Sequence, residues 1–219
     1  MIIALQARQL ADYITSLDTF PIVPPDSDNE YDHVGALFTD IVLQAGLNYR
    51  TVVWPRVENI LVNHAEKSSR EQFQRLIDEE GLQKIMRWKH PEKLRRMCDL
   101  LSFAKANHLN TCSDLKSFLQ STHNREKLRR INGFGPKTID YTLKLLNFDT
   151  VAVDRHIYSF VALANISAKG YGVTKQVVEY AADFLQISRS TIDHGIWLYM
   201  SKQVQKDKIG NQALSIPFI

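Results

Sequence analysis

The sequence predicts an all-α protein. Nearly every apolar-periodic segment repeats at the 3.6-residue spacing of a helix. Capping residues stand at the heads of most of these segments. The one stretch that reads as extended, Asn147–Val153, is too short and isolated to build a sheet. The length of 219 residues suits one large domain or two small ones, and it is enough to bury a core.

Taken in order, Leu5 to Leu17 reads as a short helix. Pro21–Glu30 is a linker, with three prolines among turn formers. Val34–Leu47 and Val52–Ala65 are amphipathic helices. Ser69 or Ser68 caps a helix through Ile77. Pro91 suits the first turn of a long helix reaching about Asn107, because its missing N–H is wasted nowhere else so cheaply. Ser113 is placed to cap Asp114–Gln120. Two helices follow, about Asn124–Ile131 and Pro136–Leu146, joined by a turn. Asp154 caps a helix to Ala164, Ser167–Gly172 is a loop, and Thr174 caps a helix to Leu185. Ser190 or Thr191 caps the last helix to about Lys202, and the tail from Gln203 shows no clear period.

Hydrophobic content of 44% and charged content of 23% are ordinary for a soluble globular chain. The net charge of +3 is mild, but its distribution is uneven. Lys84–Arg96 holds Lys84, Arg87, Lys89, Lys93, Arg95 and Arg96 against Glu92 alone. Arg125, Lys127, Arg129, Arg130, Lys137 and Lys144 follow, against Glu126 and Asp140, whereas Asp26–Asp40 carries five acids and no Lys or Arg. Such a bipolar map suits one nucleic-acid-facing side. The two cysteines, Cys98 and Cys112, exclude a disulfide framework and a four-cysteine metal or iron–sulfur site. No apolar run approaches the ~18 residues of a membrane span. The start of the chain lacks a signal peptide's pattern, so a soluble, intracellular protein (cytoplasm and nucleoid, or nucleus) with no membrane partner is expected.

The chemistry concentrates in Leu128–Tyr141 and Val151–Ile157. Gly133 and Gly135 flank Phe134, and glycine both tolerates positive φ and lets a phosphate approach bare backbone. Pro136 starts the second helix, whose first amides carry partial positive charge and favour an anion. Ile131, Phe134 and Ile139 are placed to pack the two helices together. The group Gly133, Phe134, Gly135, Pro136 and Thr138 thus reads as a phosphate-binding turn that holds position rather than sequence. Lys137 stands just past this turn, and Asp154 heads the next helix.

Residues from about Lys84 to Leu163 resemble the helix-hairpin-helix DNA glycosylases, the superfamily of endonuclease III and the 8-oxoguanine glycosylases. The likeness rests on Ile131-Asn-Gly-Phe-Gly-Pro-Lys-Thr-Ile139 and Val153-Asp-Arg-His156. It is strong over roughly a third of the chain and loose before Lys84. The resemblance implies a two-lobed helical fold with the active site in the interlobe cleft. One lobe would be a helical barrel, 31–146, holding the hairpin at about 124–146, and the other would combine 1–30 with 147–219. It implies that Lys137 attacks C1′ of the damaged nucleotide and that Asp154 assists. A carboxylate stabilises an oxocarbenium-like state, and an amine forms a Schiff base that permits β-elimination. An ordinary lysine, pKa ~10.4, is protonated at neutral pH and needs an acceptor or a changed environment. A base-excision-repair glycosylase with AP lyase activity follows, with 8-oxoguanine as the favoured lesion. The alternatives are oxidised pyrimidines or another lesion, or a non-catalytic hairpin module that binds DNA. The lysine itself could instead be a phosphate contact, and Asp154 only a helix cap.

Asn132 replaces the usual proline, Pro136 is unusual before the lysine, and residues 200–219 lack the cysteines of an iron–sulfur loop. The first two loosen the subfamily assignment, and the missing cysteines move the chain towards the cluster-free 8-oxoguanine branch. Gln44 resembles the polar plug that fills the gap of a flipped base, with Asn48, Tyr49 and Arg50 sharing its loop towards the opposite strand. Ending a helix is its plainer role. His156 and Trp197 are candidates for the base pocket, Trp197 by stacking, although core packing suits both. No organic cofactor is implied and no protein metal site, apart from a monovalent cation at the hairpin carbonyls by resemblance. The expected partner is double-stranded DNA with a damaged base or abasic site, bound by a monomer.

Overall fold

The computed structural model describes residues 2–25 and 30–213, with side chains up to residue 202. Among the described residues every regular element is helical and no strand forms. Residues 26–29 of the expected linker lie outside the described ones, and residues 21–25 and 30 belong to no helix. The chain divides into two compact units, Asp28–Phe148 and Met1–Ser27 with Asp149–Ile219.

The Asp28–Phe148 unit is built around one helix. α2 (Val34–Leu43) is buried along its whole length, as its apolar run on all sides demands. It packs against α3 (Trp54–Asn63), α4 (Arg70–Glu80), α6 (Pro91–Ala106) and α9 (Pro136–Leu145). Gly35 lies flat against the Phe73 ring, where any Cβ would collide. α5 (Leu82–Met86), α7 (Cys112–Phe118) and α8 (Thr122–Arg129) complete the unit. Its core includes Phe38, Phe73, Met97 and Leu100, each essentially solvent-free.

Several boundaries differ from those expected. α2 ends at Leu43 rather than Leu47, and a π-helical turn, Tyr49–Val53, leads into α3. The reciprocal capping box of Ser69 and Gln72 starts α4, which continues to Glu80 where Gly81 takes positive φ. Thr111 rather than Ser113 caps α7, because Asp114 returns the bond to the Thr111 N–H and completes a second capping box. α5 carries no sequence signal beyond a single turn's length and was not expected.

The other unit pairs α1 (Ile2–Thr15) with α11 (Tyr171–Leu185), and α12 (Arg189–Ala213) packs on both α11 and α10 (Arg155–Leu163). Phe160 centres an aromatic cluster with Phe20 at 5.5 Å and Tyr13 and Tyr199 at 5.6 Å between ring centroids. α1 begins three residues before the expected Leu5. α11 starts at Tyr171, so Thr174 sits inside its first turn, donating to the Gly170 carbonyl at 3.0 Å instead of capping. Ser188, not Ser190 or Thr191, caps α12 by accepting from the Thr191 N–H at 3.0 Å. α12 continues to Ala213, beyond the expected end near Lys202. Residues 150–153 form a buried strap without regular structure.

Candidate functional site

The turn between α8 and α9 belongs to the Asp28–Phe148 unit. Phe134 is only 3% exposed and its side chain joins the core with Leu128, Ile139 and Leu143. It therefore offers a passing anion nothing but backbone. The Phe134 N–H donates to the Ile131 carbonyl at 3.0 Å and closes the turn. Gly133 has φ +88°, and a Cβ there would drive into the Arg96 guanidinium. Arg96 is paired with Glu92 one turn back on α6, and its side chain is only 16% exposed.

Gly135 is the N-cap of α9 and Pro136 its first residue. Glycine has no side chain to satisfy the first helical amides, so α9 begins without a side-chain cap. Lys137 is half-buried on this first turn, and among the described residues no hydrogen bond or ion pair engages its ammonium. Thr138 is buried, its carbonyl accepting from the Thr142 hydroxyl at 2.8 Å.

Two polar groups that the sequence reading passed over lie in the same unit. Asp40 is buried in the middle of apolar α2, and its carboxylate accepts from the hydroxyls of Tyr141 at 2.7 Å, Tyr31 at 2.8 Å and Tyr49 at 3.2 Å. Burial pushes its carboxyl above the usual range, while the three tyrosine bonds pull the other way. Tyr141 stands one turn beyond Lys137 on α9, so Asp40 ties α9 to α2 and to the turn at Tyr49.

Lys93, from α6, donates to the Val42 carbonyl at 2.7 Å and the Ala45 carbonyl at 3.1 Å. Its pKa is pushed down to about 8, first by burial and then by the positive charges of Arg96 and Lys137, with Glu92 opposing. Lys93 thus shares an electrostatic neighbourhood with Lys137 and still carries its proton at pH 7. Both residues had a sequence signal. Asp40, next to Thr39, puts a charge into an otherwise apolar helix, and Lys93 stands on the stripe of Met97, Leu100 and Ala104, where a core residue is expected.

Gln44 follows α2 directly, its N–H donating to the Asp40 carbonyl at 2.9 Å. Its side-chain amide nitrogen is buried and has no hydrogen-bond partner among the described residues. Asn48 caps the π-helical turn by accepting from the Thr51 N–H at 3.0 Å, so its side chain is committed to backbone. Tyr49 keeps a partly exposed ring, 6.5 Å from Trp54, with its hydroxyl on Asp40. Arg50 is exposed.

Asp154 belongs to the other unit. It caps α10 through one oxygen, Oδ1, which accepts from the His156 N–H at 2.8 Å and the Ile157 N–H at 3.1 Å. Oδ2 takes no hydrogen bond among the described residues. The strap before it is pinned to α12, where the Ala152 N–H donates to Asp193 at 2.8 Å and the Ser190 N–H to Asp149 at 2.9 Å. His156 is half-buried. Trp197 is half-buried too, its ring 6.4 Å from that of His194.

Among the described residues, no group of three or more His, Cys, Asp or Glu gathers to hold a metal ion, and no helix is long and apolar enough to cross a membrane. Cys98 is exposed and Cys112 buried, both as free thiols. Compared with protein-family models, curated proteins and solved structures, the chain finds no match.

Proposed function

We propose that the protein is a helix-hairpin-helix DNA glycosylase with AP lyase activity that acts on an oxidised base, 8-oxoguanine first. One observation carries this reading above the others. Among the described residues, Lys137 is an amine without hydrogen bond or ion pair on the first turn of a helix that has no side-chain cap. Such a start offers amides to a phosphate and leaves the amine available for a carbon centre.

On this reading the turn at Gly133–Gly135 holds one DNA phosphate through backbone. Lys137 attacks C1′ and the C1′–N bond breaks, the electron pair leaving with the base. Loss of a proton from nitrogen and opening of the sugar give a Schiff base, and removal of a C2′ proton expels the 3′ phosphate. Asp154 stabilises the positive charge on the sugar with the oxygen that capping leaves unused. The two-lobed arrangement, with both groups acting on one sugar, is part of the proposal. So are the plug role of Gln44 and the pocket roles of His156 and Trp197.

Borohydride trapping on duplexes containing 8-oxoguanine, thymine glycol, uracil or an abasic site tests it. The expected result is a covalent adduct that disappears in Lys137→Gln, strongest on 8-oxoguanine. A stronger adduct with thymine glycol would move the substrate to oxidised pyrimidines. No adduct, with no free-base release but intact DNA binding, would leave a binding module and end the enzymatic reading.

A further inference from the structure

We propose that Lys93 is a positioning residue, a strut that holds the loop from Gln44 to Arg50 in fixed register with the turn that carries Gly133 and Lys137. The proposal rests on the glycosylase reading for what the loop does, and on geometry alone for the strut.

A helix C-terminus leaves its last carbonyls without intrahelical donors. α2 has no basic residue in its own last turn, and the glycine that follows, Gly46, comes too late to wrap the chain back on them. Lys93 supplies the missing donor from another helix. Its ammonium bonds the carbonyls of Val42 and Ala45, one on each side of Gln44. A cation at this end of α2 also suits the helix dipole.

The far end of the same loop is tied as well. The Tyr49 hydroxyl donates to Asp40, which also receives Tyr141 from α9. The loop is therefore fastened at its start by α6 and at its end by a carboxylate that grips α9. α6 reaches the other turn too, one helical turn further on, where the Arg96 guanidinium lies against Gly133. One helix backs both turns with two cations, Lys93 and Arg96. On α6 the charges of Glu92 and Arg96 act on Lys93, from α9 that of Lys137 does, and α2 carries the acid Asp40.

A strut makes two predictions that a merely stabilising lysine does not. Removing it should loosen Gln44–Arg50 selectively, and it should cancel the contribution of Gln44 to binding. Lys93→Met keeps the length of the side chain and removes the donors. Hydrogen exchange on the free protein should speed about tenfold at the amides of residues 44–51 while the amides of α4 and α7 stay unchanged. Affinity for a duplex with a tetrahydrofuran abasic analogue should fall about tenfold in Gln44→Ala, yet under about twofold when Gln44→Ala is added to Lys93→Met. Additive losses, or faster exchange spread evenly over the unit, would overturn the strut. If wild-type protein does not bind the duplex, the DNA reading fails, and the exchange pattern still decides for or against the strut.

Discussion

Helices α9 and α10 begin in opposite ways. α9 starts behind Gly135 and Pro136, so among the described residues no side chain caps its first amides, and no hydrogen bond or ion pair engages Lys137 on the same turn. α10 starts behind Asp154, whose Oδ1 takes two of the first amides and whose Oδ2 takes no hydrogen bond among the described residues. An open start suits an incoming anion, because the amides and the dipole are unspent. A capped start suits a fixed carboxylate, because the two amide bonds hold the side chain in one rotamer. The same feature, a helix N-terminus, is thus left without a side-chain cap in one unit and closed by a carboxylate in the other.

The largest expected effect tests the open start. Lys137→Gln should lower the trapping rate at least about a thousandfold, since a nucleophile's loss is not shared by its neighbours. Melting temperature should stay within about 2 °C, because no hydrogen bond or ion pair to a described residue is broken. A trapping rate near wild type would make Lys137 a phosphate contact.

The capped start comes next. Asp154→Asn keeps an oxygen for the two amides but removes the charge, so base release should fall about a hundredfold with little change in stability. Asp154→Ala should lose the activity and also about 1 kcal/mol of stability as the cap goes. If Asp154→Asn releases base at the wild-type rate while Asp154→Ala loses only stability, the carboxylate is a cap and nothing more.

A smaller effect is expected from the glycine that shapes the open start. Gly133→Ala meets both a φ of +88° and the Arg96 guanidinium, and it should cost about 1–2 kcal/mol in urea melts. It should also flatten the salt dependence of DNA binding as a phosphate contact is lost. An unchanged salt slope would separate the turn from the DNA.

The smallest effect sharpens the electrostatics beside α9. Lys93 has a folded-state pKa of about 8. An unfolded lysine titrates near ~10.4, so between those values the unfolded chain binds more protons. The depressed value contributes stability above the unfolded pKa, and that contribution is lost as pH falls through about 8. Thermal melts at pH 7 and 9.5 should therefore show wild type gaining on Lys93→Met at the higher pH. Parallel curves would mean that Lys93 titrates normally in the fold.

Much of the fold was legible because much of it is local. The Ser69 capping box, Pro91 and Pro136 at helix starts and Asp154 before α10 each act within one turn of the chain. The failures were of a different kind. α2 stops at Leu43 rather than Leu47, and the donor that meets its Val42 carbonyl is Lys93 from α6, far along the chain. Ser190 and Thr191 both look like caps of α12, and only the folded path of the chain selects Ser188.

By itself the sequence determined the helical class, the glycine-pivoted turn and the carboxylate that caps α10. These depend on backbone propensity and on spacing, which are properties of neighbours along the chain. Only the tertiary structure decided that Lys93 closes α2 from 51 positions away and that Asp40 gathers Tyr141 from 101 positions away. A lysine or an aspartate on an apolar stripe announces that it needs a partner, because burying a charge alone is too costly. Which partner it finds is set by how the helices pack, and that is not written in the spacing of either residue.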